Sequence, residues 1–514
     1  MEKKRSSGLL LHITSLPGPY GVGDLGADAY QFADFLAHTG QTLWQVLPTV
    51  PVGYGYSPYA SPSTFAGNPL FISPDRLRDA GLLTDEDLAA TPTFPTDHVD
   101  FEAAIPFKQG LLRKAFDRFE HSAGGIMRQR FAAFCNREAT WLDDYALFTT
   151  LDTTHDGVVW TEWEPGLAAR KPAALAAARA QYAREIRMQK FWQFLFTEQW
   201  AAFKAYCNER GIRIFGDLPI YVAHDSADVW ANPHLFYLDV HGTPTVVAGV
   251  PPDYFSVTGQ RWGNPIYRWD VMREAGYAWW TRRFAKILEQ VDLVRLDHFR
   301  GFEAYWEVPA SEETAVNGNW VEGPKAELFE VLHEHLGPLP VIAENLGVIT
   351  PGVVSLMEQF NFPGMAILQF AFDSDADNDF LPHNFQPHLV AYTGTHDNDT
   401  VVGWWQNTTS TQSAKAIEKA HAYCRAYLDF TEGNEADLHW RFVHALMASV
   451  AVIAIVPLQD LLGLGSEARM NTPGLGSGNW MWRFEPYLLN AEVAERLRTL
   501  AEIYGRAPKA EEED

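Results

Sequence analysis

The sequence contains few cysteines, and their spacing fits neither a disulfide framework nor a zinc site. Only three occur in 514 residues, Cys135, Cys207 and Cys424, and they are far apart. An odd number of distant cysteines is not typical of a zinc site or a disulfide scaffold. We therefore expect a cytoplasmic protein in a reducing compartment, with no cysteine-bound metal.

Long hydrophobic runs are also missing. The basic start of the chain is followed by only three leucines and then by Pro17 and Pro19, whereas a signal peptide needs a longer apolar segment. The most apolar stretch, ALMASVAVIAIVP (445–457), is too short to cross a bilayer and stops at proline. We interpret it as the end of a helix followed by a buried strand, and we expect no membrane partner.

Positive charge is scarce, with 40 lysines and arginines against 65 acidic residues and a formal net charge of −25. A surface this negative repels phosphate backbones and anionic lipids, so nucleic acid is an unfavourable partner. Uncharged substrates such as sugars remain compatible. The 18 Trp, 19 Tyr and 32 Phe residues fit either core packing or stacking on sugar rings.

Eight short apolar runs recur along the chain, and helical patterns separate many of them. One such pattern, residues 28–40, has apolar residues three and four apart and closes on Gly40. Apolar strands that alternate with helices indicate a parallel sheet buried on both faces. The pattern predicts an α/β fold, a (β/α)₈ TIM barrel. The eight predicted strands are residues 8–13, 42–48, 213–222, 291–299, 340–346, 364–370, 389–397 and 450–458.

The spacing of these strands predicts insertions after the second and the third. Residues 1–49 would start the barrel, 50–185 would form a mainly helical inserted subdomain, and 186–505 would complete the catalytic barrel. Within that last part, residues 223–277 are rich in Pro, Gly and aromatics and read as a long loop excursion. Residues 506–514 read as an acidic, solvated tail.

Polar residues lie at the carboxyl ends of four predicted strands, where barrel enzymes carry their catalytic groups. An acid at one strand end can simply cap the next helix. Helix capping is a weaker explanation for three acids that each follow a strongly apolar run. Charged groups at the end of a buried sheet are normally either paired with opposite charges or part of a functional site. The residues are Asp217, Arg295, Asp297, His298, Glu344, Asn345, His396 and Asp397.

Cleavage and formation of a glycosidic bond require two carboxyl groups that face each other across the bond. One attacks the anomeric carbon and the other moves the proton, and a separation of about 5 Å permits a covalent intermediate and net retention. A third carboxylate can hold sugar hydroxyls. Arg295 lies two residues before Asp297, on the same strand face, and can keep it ionised, and His396 can hydrogen-bond a sugar hydroxyl.

The segment GTHDND (394–399) can also be considered as a metal site. His396 and Asp397 are adjacent, and neighbours on a strand point to opposite faces. No other His–carboxylate pair has the spacing of helix-borne ligands. We therefore interpret the segment as the end of the seventh strand, carrying one of three working carboxylates.

The segments RLDHF, IAENLG and GTHDND resemble the catalytic segments of the α-amylase clan. The finer resemblance is to the 4-α-glucanotransferases called amylomaltase or disproportionating enzyme, glycoside hydrolase family 77. It covers nearly the whole chain, from residue 8 to about 483. Val222 stands where α-amylases usually have a sugar-binding His, as in the amylomaltases. The supporting stretches are GLLLHITSLPGPYGVGDLG, GYSPYASPSTFAGNPLFI, GDLPIYVAHDSADVWANP, GVPPDYFSVTGQRWGNPIY, FPGMAILQFAF and RMNTPGLGSGNWMWR.

The resemblance implies a role for each matching residue. Asp297 would be the nucleophile, Glu344 the general acid/base and Asp397 the stabiliser of the transition state. The implied substrate-binding residues fall into four groups: Asp217, Arg295 and His396 around the sugar under attack, Tyr59 stacking on the donor sugar, Asp253, Gln260 and Trp262 on a lid over the acceptor side, and Asn471 and Pro473 in a further substrate-side motif.

The expected function is 4-α-glucanotransfer, with cyclisation when the acceptor is the same chain. No cofactor is expected, because the carboxylates do the chemistry. Expected partners are maltooligosaccharides, amylose or a glycogen-like glucan, and glucose as acceptor, whereas the oligomeric state is left open. A transferase must favour a sugar hydroxyl over water at about 55 M, and aromatic residues on the lid are suited to that. The alternatives are a hydrolase of the α-amylase clan, a glucan-binding barrel without catalysis and a metal-dependent barrel enzyme.

Overall fold

The structure is a computed structural model that describes residues 4–252, 256–406 and 413–508. Twelve β-strands lie in this part of the chain. In chain order they are β1 (Ser6–Leu10), β2 (Leu43–Gln45), β3 (Arg213–Leu218), β4 (Val246–Val250), β5 (Gln260–Pro265), β6 (Leu293–Leu296), β7 (Ala304–Pro309), β8 (Asn319–Glu322), β9 (Val341–Ala343), β10 (Gly364–Ile367), β11 (Leu389–Tyr392) and β12 (Ile453–Pro457).

Eight of these strands form one parallel sheet, in the order β10-β11-β12-β1-β2-β3-β6-β9. The two outer strands meet and close the sheet, since the backbone N–H of Ala343 donates to the carbonyl of Pro363 at 2.9 Å. Seven of the eight fall within a predicted apolar run, and β1 overlaps the run 8–13 but begins two residues before it. The (β/α)₈ barrel is therefore confirmed. Its strands are almost entirely buried, as expected of parallel strands covered on both faces.

Helices surround this sheet and fill the long connections. They are α1 (Ala27–His38), α2 (Pro74–Asp79), α3 (Asp85–Ala89), α4 (Phe101–Ser122), α5 (Gly125–Arg137), α6 (Ala139–Thr154), α7 (Pro165–Ala168), α8 (Pro172–Gln181), α9 (Ala183–Glu209), α10 (Ala227–Ala231), α11 (Trp269–Glu274), α12 (Ala278–Gln290), α13 (Lys325–Leu336), α14 (Pro351–Gln359), α15 (Val401–Gln406), α16 (Ala414–Tyr427), α17 (Leu438–Ala448), α18 (Leu458–Leu461) and α19 (Ala491–Ile503). Among the described helices, none combines the length and the apolar character that a membrane crossing requires.

Local sequence signals explain how individual helices begin and end. Helix α1 ends at His38, and Gly40 follows in the left-handed region with φ of 71°. The N–H of Gln41 then donates to the carbonyl of Leu36 at 2.9 Å, which is the helix termination that glycine favours. At the other end of a helix, Thr84 and Asp87 form a reciprocal capping box on α3.

Helices α2 to α9 occupy the connection between β2 and β3, where the sequence predicts an inserted subdomain. Helix α9 is 27 residues long and leads back into the barrel. Its apolar face is buried, with Phe191, Trp192 and Phe203 all at most 3% exposed. The division of the chain at residues 49, 185 and 505 stays a prediction.

A second, four-stranded antiparallel sheet has the order β5-β4-β7-β8. Strands β4 and β5 come from residues 223–277, which are predicted as a loop excursion, and β7 and β8 follow β6. The sheet therefore joins two segments on either side of a barrel strand. Its strands mix polar with apolar residues, as in QRWGNP (260–265) and NWVE (319–322), so a search for continuous apolar runs does not find them.

Candidate active site

The predicted site residues reach the carboxyl-terminal rim of the barrel from distant parts of the chain. Strand β11 ends at Tyr392. The prediction that GTHDND (394–399) is the end of the seventh strand is therefore wrong, and the segment forms the loop that follows this strand. Parallel strands open on one common rim, and these side chains therefore meet there. Asp217 lies in β3, Arg295 in β6, Asp297 directly after β6, Glu344 directly after β9, and His396 and Asp397 after β11.

Arg295 connects two of the carboxylates. Its Nη1 lies 2.7 Å from Asp217 Oδ2 and its Nη2 lies 2.6 Å from Asp297 Oδ1. Asp217 and Arg295 are neighbours in the register of β3 and β6, which accounts for the first contact. Burial raises the pKa of Asp217, and the guanidinium opposes that rise. The Asp297 side chain keeps 28% of its surface exposed, against 5% for Arg295, so one side of this carboxylate faces the cleft.

Glu344 sits beside Asp297 in a more buried setting. Its Oε2 accepts the backbone N–H of His298 at 2.9 Å, and its Oε1 accepts that of Leu346 at 2.7 Å. Burial raises the pKa of Glu344 to about 7, with Arg295 opposing the rise and Asp297 adding to it. The group is thus poised to carry a proton near neutral pH, which is the property of a general acid/base.

The carboxylate of Asp397 is held differently, in a loop and by an amide and an imidazole, while the Asp397 carbonyl accepts from Arg469 Nη2 at 2.6 Å. Its Oδ1 accepts from Asn471 Nδ2 at 2.6 Å and lies 3.3 Å from His396 Nε2. The backbone N–H of Asn471 donates to the carbonyl of His396 at 3.0 Å, which fixes the two loops together. Pro473 is exposed, two residues beyond Asn471.

Tyr59 joins the two halves of the rim. Its hydroxyl donates to Asp217 Oδ2 at 2.9 Å, and its ring stacks on His396 with centroids 5.1 Å apart. Burial, followed by the negative charge of Asp217, raises the pKa of Tyr59, so the hydroxyl remains a donor. Trp480 packs against both Tyr59 and His396, at 5.6 Å and 5.9 Å.

The predicted lid residues lie on the antiparallel sheet. Gln260 and Trp262 belong to β5, and Trp262 Nε1 donates to Gln260 Oε1 at 3.2 Å. The Trp262 ring meets His298 edge to face, with centroids 4.8 Å apart, so the sheet reaches the residue next to Asp297. Asp253, together with Tyr254 and Phe255, lies outside the described residues.

Two neighbours of the carboxylates received no role from sequence reasoning. Trp480 lies in the stretch RMNTPGLGSGNWMWR (469–483). Trp482 and Arg483 lie close to it in the sequence, and the sequence does not indicate which of the three contacts the site. His298 was noted at a strand end without a function. Only the three-dimensional contacts with Tyr59, Trp262 and Glu344 single these two residues out.

The carboxylates near the rim accept hydrogen bonds or form ion pairs. Within the described part of the chain, no group of three or more His, Cys, Asp or Glu side chains is arranged to hold a metal ion.

Comparison with known proteins gives one consistent result. The pattern of the 4-alpha-glucanotransferase family matches residues 11–490. The chain is 52% identical to a 4-alpha-glucanotransferase of Thermus thermophilus, with 98% of this chain and all of that protein covered. It is 49% identical to one of Synechocystis over 98% and 99% of the two chains.

A solved structure agrees with these relatives. The amylomaltase of Streptococcus agalactiae in complex with acarbose superposes with a TM-score of 0.93 at 36% identity, covering 98% of this chain and all of that one. The family match spans far more than half of the sequence, and the relatives are similar over their full length. The chain belongs to the 4-alpha-glucanotransferase family.

Proposed function

We propose that the 4-alpha-glucanotransferase activity of this chain proceeds by retaining double displacement, with Asp297 as nucleophile and Glu344 as acid and then base. The observation that carries the proposal is the contrast between these neighbours. Asp297 Oδ1 lies 2.6 Å from Arg295 Nη2, and the Asp297 side chain is 28% exposed, so the carboxylate is fixed in place and still open to a substrate. Burial raises the pKa of Glu344 to about 7, which favours a proton on it at neutral pH.

In the first step, Asp297 attacks the anomeric carbon of the donor glucan while Glu344 gives its proton to the departing glycosidic oxygen. The C–O bond to the leaving chain breaks and a bond to the aspartate oxygen forms. In the second step, the ionised Glu344 takes the proton of an acceptor 4-hydroxyl, which displaces Asp297. Two inversions give net retention. The carboxylates perform both steps without a cofactor.

The remaining rim residues are proposed to bind the sugar whose anomeric carbon reacts. Asp397 has 44% of its side chain exposed, so it can accept hydrogen bonds from ring hydroxyls and stabilise positive charge in the transition state. Asp217, Arg295 and His396 line the same subsite, and Tyr59 provides an aromatic face beside it. Asn471 orients Asp397, with Pro473 on the same loop.

Gln260 and Trp262, with Asp253 in the segment between the described ranges, are proposed as the acceptor side. An indole face is a good surface for a pyranose ring, and Trp262 is 38% exposed. A bound sugar there would place its hydroxyl near Glu344 and exclude water from it. This arrangement favours transfer over hydrolysis.

Substrates are proposed to be maltooligosaccharides, amylose or glycogen-like glucans, with glucose or a glucan end as acceptor, and cyclic products when the acceptor is the same chain. The acarbose bound to the Streptococcus agalactiae protein supports an α-glucan-like ligand. The acidic composition and the few cysteines support a cytoplasmic location. The helices between β2 and β3 are proposed as an inserted subdomain.

Incubation with maltotriose tests the proposal directly. Transfer gives a ladder of longer and shorter oligomers, whereas a hydrolase gives mainly maltose and glucose. Asp297→Asn should abolish the ladder. An unchanged product pattern in that variant would rule out the assigned nucleophile, and an absence of products from the unmodified protein would rule out the activity.

A further inference from the structure

We propose that Asp460 is a positioning residue for the reaction, because its buried carboxylate holds both ends of the loop that carries Asp397. The inference rests on the proposed function, since it assumes that Asp397 stabilises the transition state. Three observations carry it: hydrogen bonds to Asp460 from both ends of the loop, the burial of this carboxylate without a cation, and the exposure of the middle of the loop.

Asp460 reaches the loop from the neighbouring barrel strand. It lies in α18, which directly follows β12, and β12 pairs with β11. Its Oδ2 accepts from Thr393 Oγ1 at 2.5 Å, and its Oδ1 accepts from the backbone N–H of Val401 at 2.7 Å. Thr393 directly follows β11, and Val401 is the first residue of α15. One carboxylate therefore ties together the two ends of the active-site loop, residues 393–400.

The active-site loop has buried ends and an exposed middle. Thr393 and Val401 are both 0% exposed, and Asp460 is 2% exposed. The side chain of Asp397 is 44% exposed. The part that meets the substrate is thus held between two fixed points. A displacement of either end moves Asp397 relative to the reacting sugar, and a misplacement of about 1 Å can cost roughly a hundredfold in rate.

The carboxylate of Asp460 is buried without a counterion. Among the described residues, no lysine, arginine or histidine lies within ion-pair distance of it. Burial raises the pKa of Asp460 to about 6, the hydrogen bonds from Thr393 and Val401 oppose the rise, and Asp399 adds to it. An unpaired charge in the core is unfavourable, so packing alone does not explain an aspartate here. A carboxylate has two acceptor oxygens, whereas an amide has one, and the two ends of the loop each bring a donor.

Packing restrains the inner side of the active-site loop only weakly. A cavity of about 20 Å³ lies behind it, lined by Thr395 and His396 of the loop and by Asp460 and Arg469 from the segment after β12. Side chains that border a cavity have no contacts on that side. The loop therefore has room to shift when the hydrogen bonds to Asp460 are removed.

A second support for the loop comes from the β10 side. The backbone N–H of Gln369 donates to the carbonyl of Thr393 at 3.3 Å, and its Nε2 donates to the carbonyl of Asp399 at 2.8 Å. These bonds do not involve Asp460. We therefore expect variants of Asp460 to keep the loop folded over the barrel while its position becomes less well defined.

The test is a double-mutant cycle between Asp460 and Asp397. α-Maltosyl fluoride serves as donor, since its reactive leaving group keeps slow variants measurable, and maltose serves as acceptor. Fluoride release gives kcat/KM for Asp460→Ala and Asp397→Asn, separately and combined. We expect Asp460→Ala to lower kcat/KM by about tenfold in the unmodified protein and by at most about threefold in the Asp397→Asn background. The smaller factor is what remains through His396, which lies on the same loop.

Asp228→Ala is the matched control. Asp228 is also a buried carboxylate, 4% exposed, with a pKa that burial raises to about 6, and it accepts from the backbone N–H of Thr64 at 2.8 Å. It lies in α10, which follows β3 rather than β12. Removal of a buried carboxylate that does not act through Asp397 changes both backgrounds alike. We therefore expect Asp228→Ala to change kcat/KM by the same factor with and without the Asp397→Asn substitution.

A milder variant repeats the test with less effect on folding. Thr393→Val keeps the shape of the side chain and removes only one of the two hydrogen bonds. We expect it to lower kcat/KM by about threefold in the unmodified protein and by less than about twofold in the Asp397→Asn background. Urea unfolding shows which of the variants are folded under the assay conditions.

Two outcomes would overturn the inference. One is an Asp460→Ala variant with unchanged kcat/KM, and the other is a loss by the same factor in both backgrounds, as expected for Asp228→Ala. Where Asp460→Ala does not fold, Thr393→Val decides by the same two criteria. An Asp397→Asn variant with normal turnover would instead contradict the role proposed for Asp397, so failure of the proposed function is distinguishable from failure of the inference alone.

Discussion

Two sides of the barrel rim hold their carboxylates by different means. On the β3–β6 side, Asp217 and Asp297 share one guanidinium, and the Asp217 and Arg295 side chains are 0% and 5% exposed. On the β11 side, Asp397 is 44% exposed and takes a hydrogen bond from the amide of Asn471. The buried ion pairs of the β3–β6 side contribute to the stability of the core. The partly exposed Asp397 of the β11 side can instead accept hydrogen bonds from sugar hydroxyls. Stability and recognition should therefore respond separately to mutation.

The largest effect on turnover is expected at Glu344, the carboxyl group that transfers a proton to and from the substrate. Glu344→Gln cannot give or take a proton, so we expect kcat to fall by about 10²- to 10⁴-fold. The amide keeps the shape, although its single oxygen can accept only one of the two backbone N–H groups that Glu344 accepts. Glucan binding should therefore change much less than kcat. Maltotriose turnover and calorimetric glucan binding check the two expectations.

The matched control is Glu327→Gln, an acid on the surface of α13 that pairs with Arg273. Its turnover should equal that of the unmodified protein. A Glu344→Gln enzyme that retains near-normal turnover would show that proton transfer depends on another group.

The second effect concerns the buried guanidinium. Arg295→Met leaves Asp217 without its ion-pair partner in a site that water does not reach, and breaking such a pair destabilises proteins by about 3–5 kcal/mol. We expect the free energy of unfolding in urea to drop by that amount. Arg268→Met removes a surface pair whose side chains are 39% and 56% exposed, and it should change the same quantity by less than about 1 kcal/mol. Equal losses in the two variants would show that the buried ion pairs of Arg295 stabilise the fold no more than a surface pair does.

The third effect is a dependence of activity on pH. Because burial raises the pKa of Glu344 to about 7, the acid form needed in the first step predominates below that pH and is lost above it. We expect kcat/KM for maltotriose to fall about tenfold for each pH unit above 7. The residual activity of Glu344→Gln should lack this decline, because its amide does not titrate. A decline at the same pH in that variant would assign it to a different group.

The sequence predicts the barrel well because parallel strands buried on both faces leave a strong local signal. Runs such as residues 213–222 and 450–458 are apolar whatever they pair with. The acids that follow these runs can also be recognised from the sequence, because each one directly follows an apolar segment. In contrast, the antiparallel sheet of β4, β5, β7 and β8 depends on pairing between segments on either side of β6, and no local pattern encodes that.

The contacts within the site depend on the same long-range information. Tyr59 and Asp217 are 158 residues apart in the chain, and Asp397 and Asn471 are 74 apart. A family resemblance can name such residues, but only folding brings a hydroxyl to within 2.9 Å of a carboxylate. The hydrogen bonds of Asp460 to both ends of the loop after β11 likewise have no counterpart in the sequence, since the partners are 67 and 59 residues apart.

The smallest effect is expected on the β11 side. Asn471→Ala removes the 2.6 Å hydrogen bond to Asp397 but leaves that carboxylate in contact with water, so no buried charge is abandoned. We expect kcat/KM for maltotriose to fall by about tenfold, because Asp397 loses its orientation, while the free energy of unfolding changes by about 1 kcal/mol or less. Asn317→Ala, which removes an exposed amide bonded to Glu312, should change neither quantity. A loss of stability in Asn471→Ala as large as that in Arg295→Met would mean that the loop after β11 is as much a part of the core as the β3–β6 ion pair.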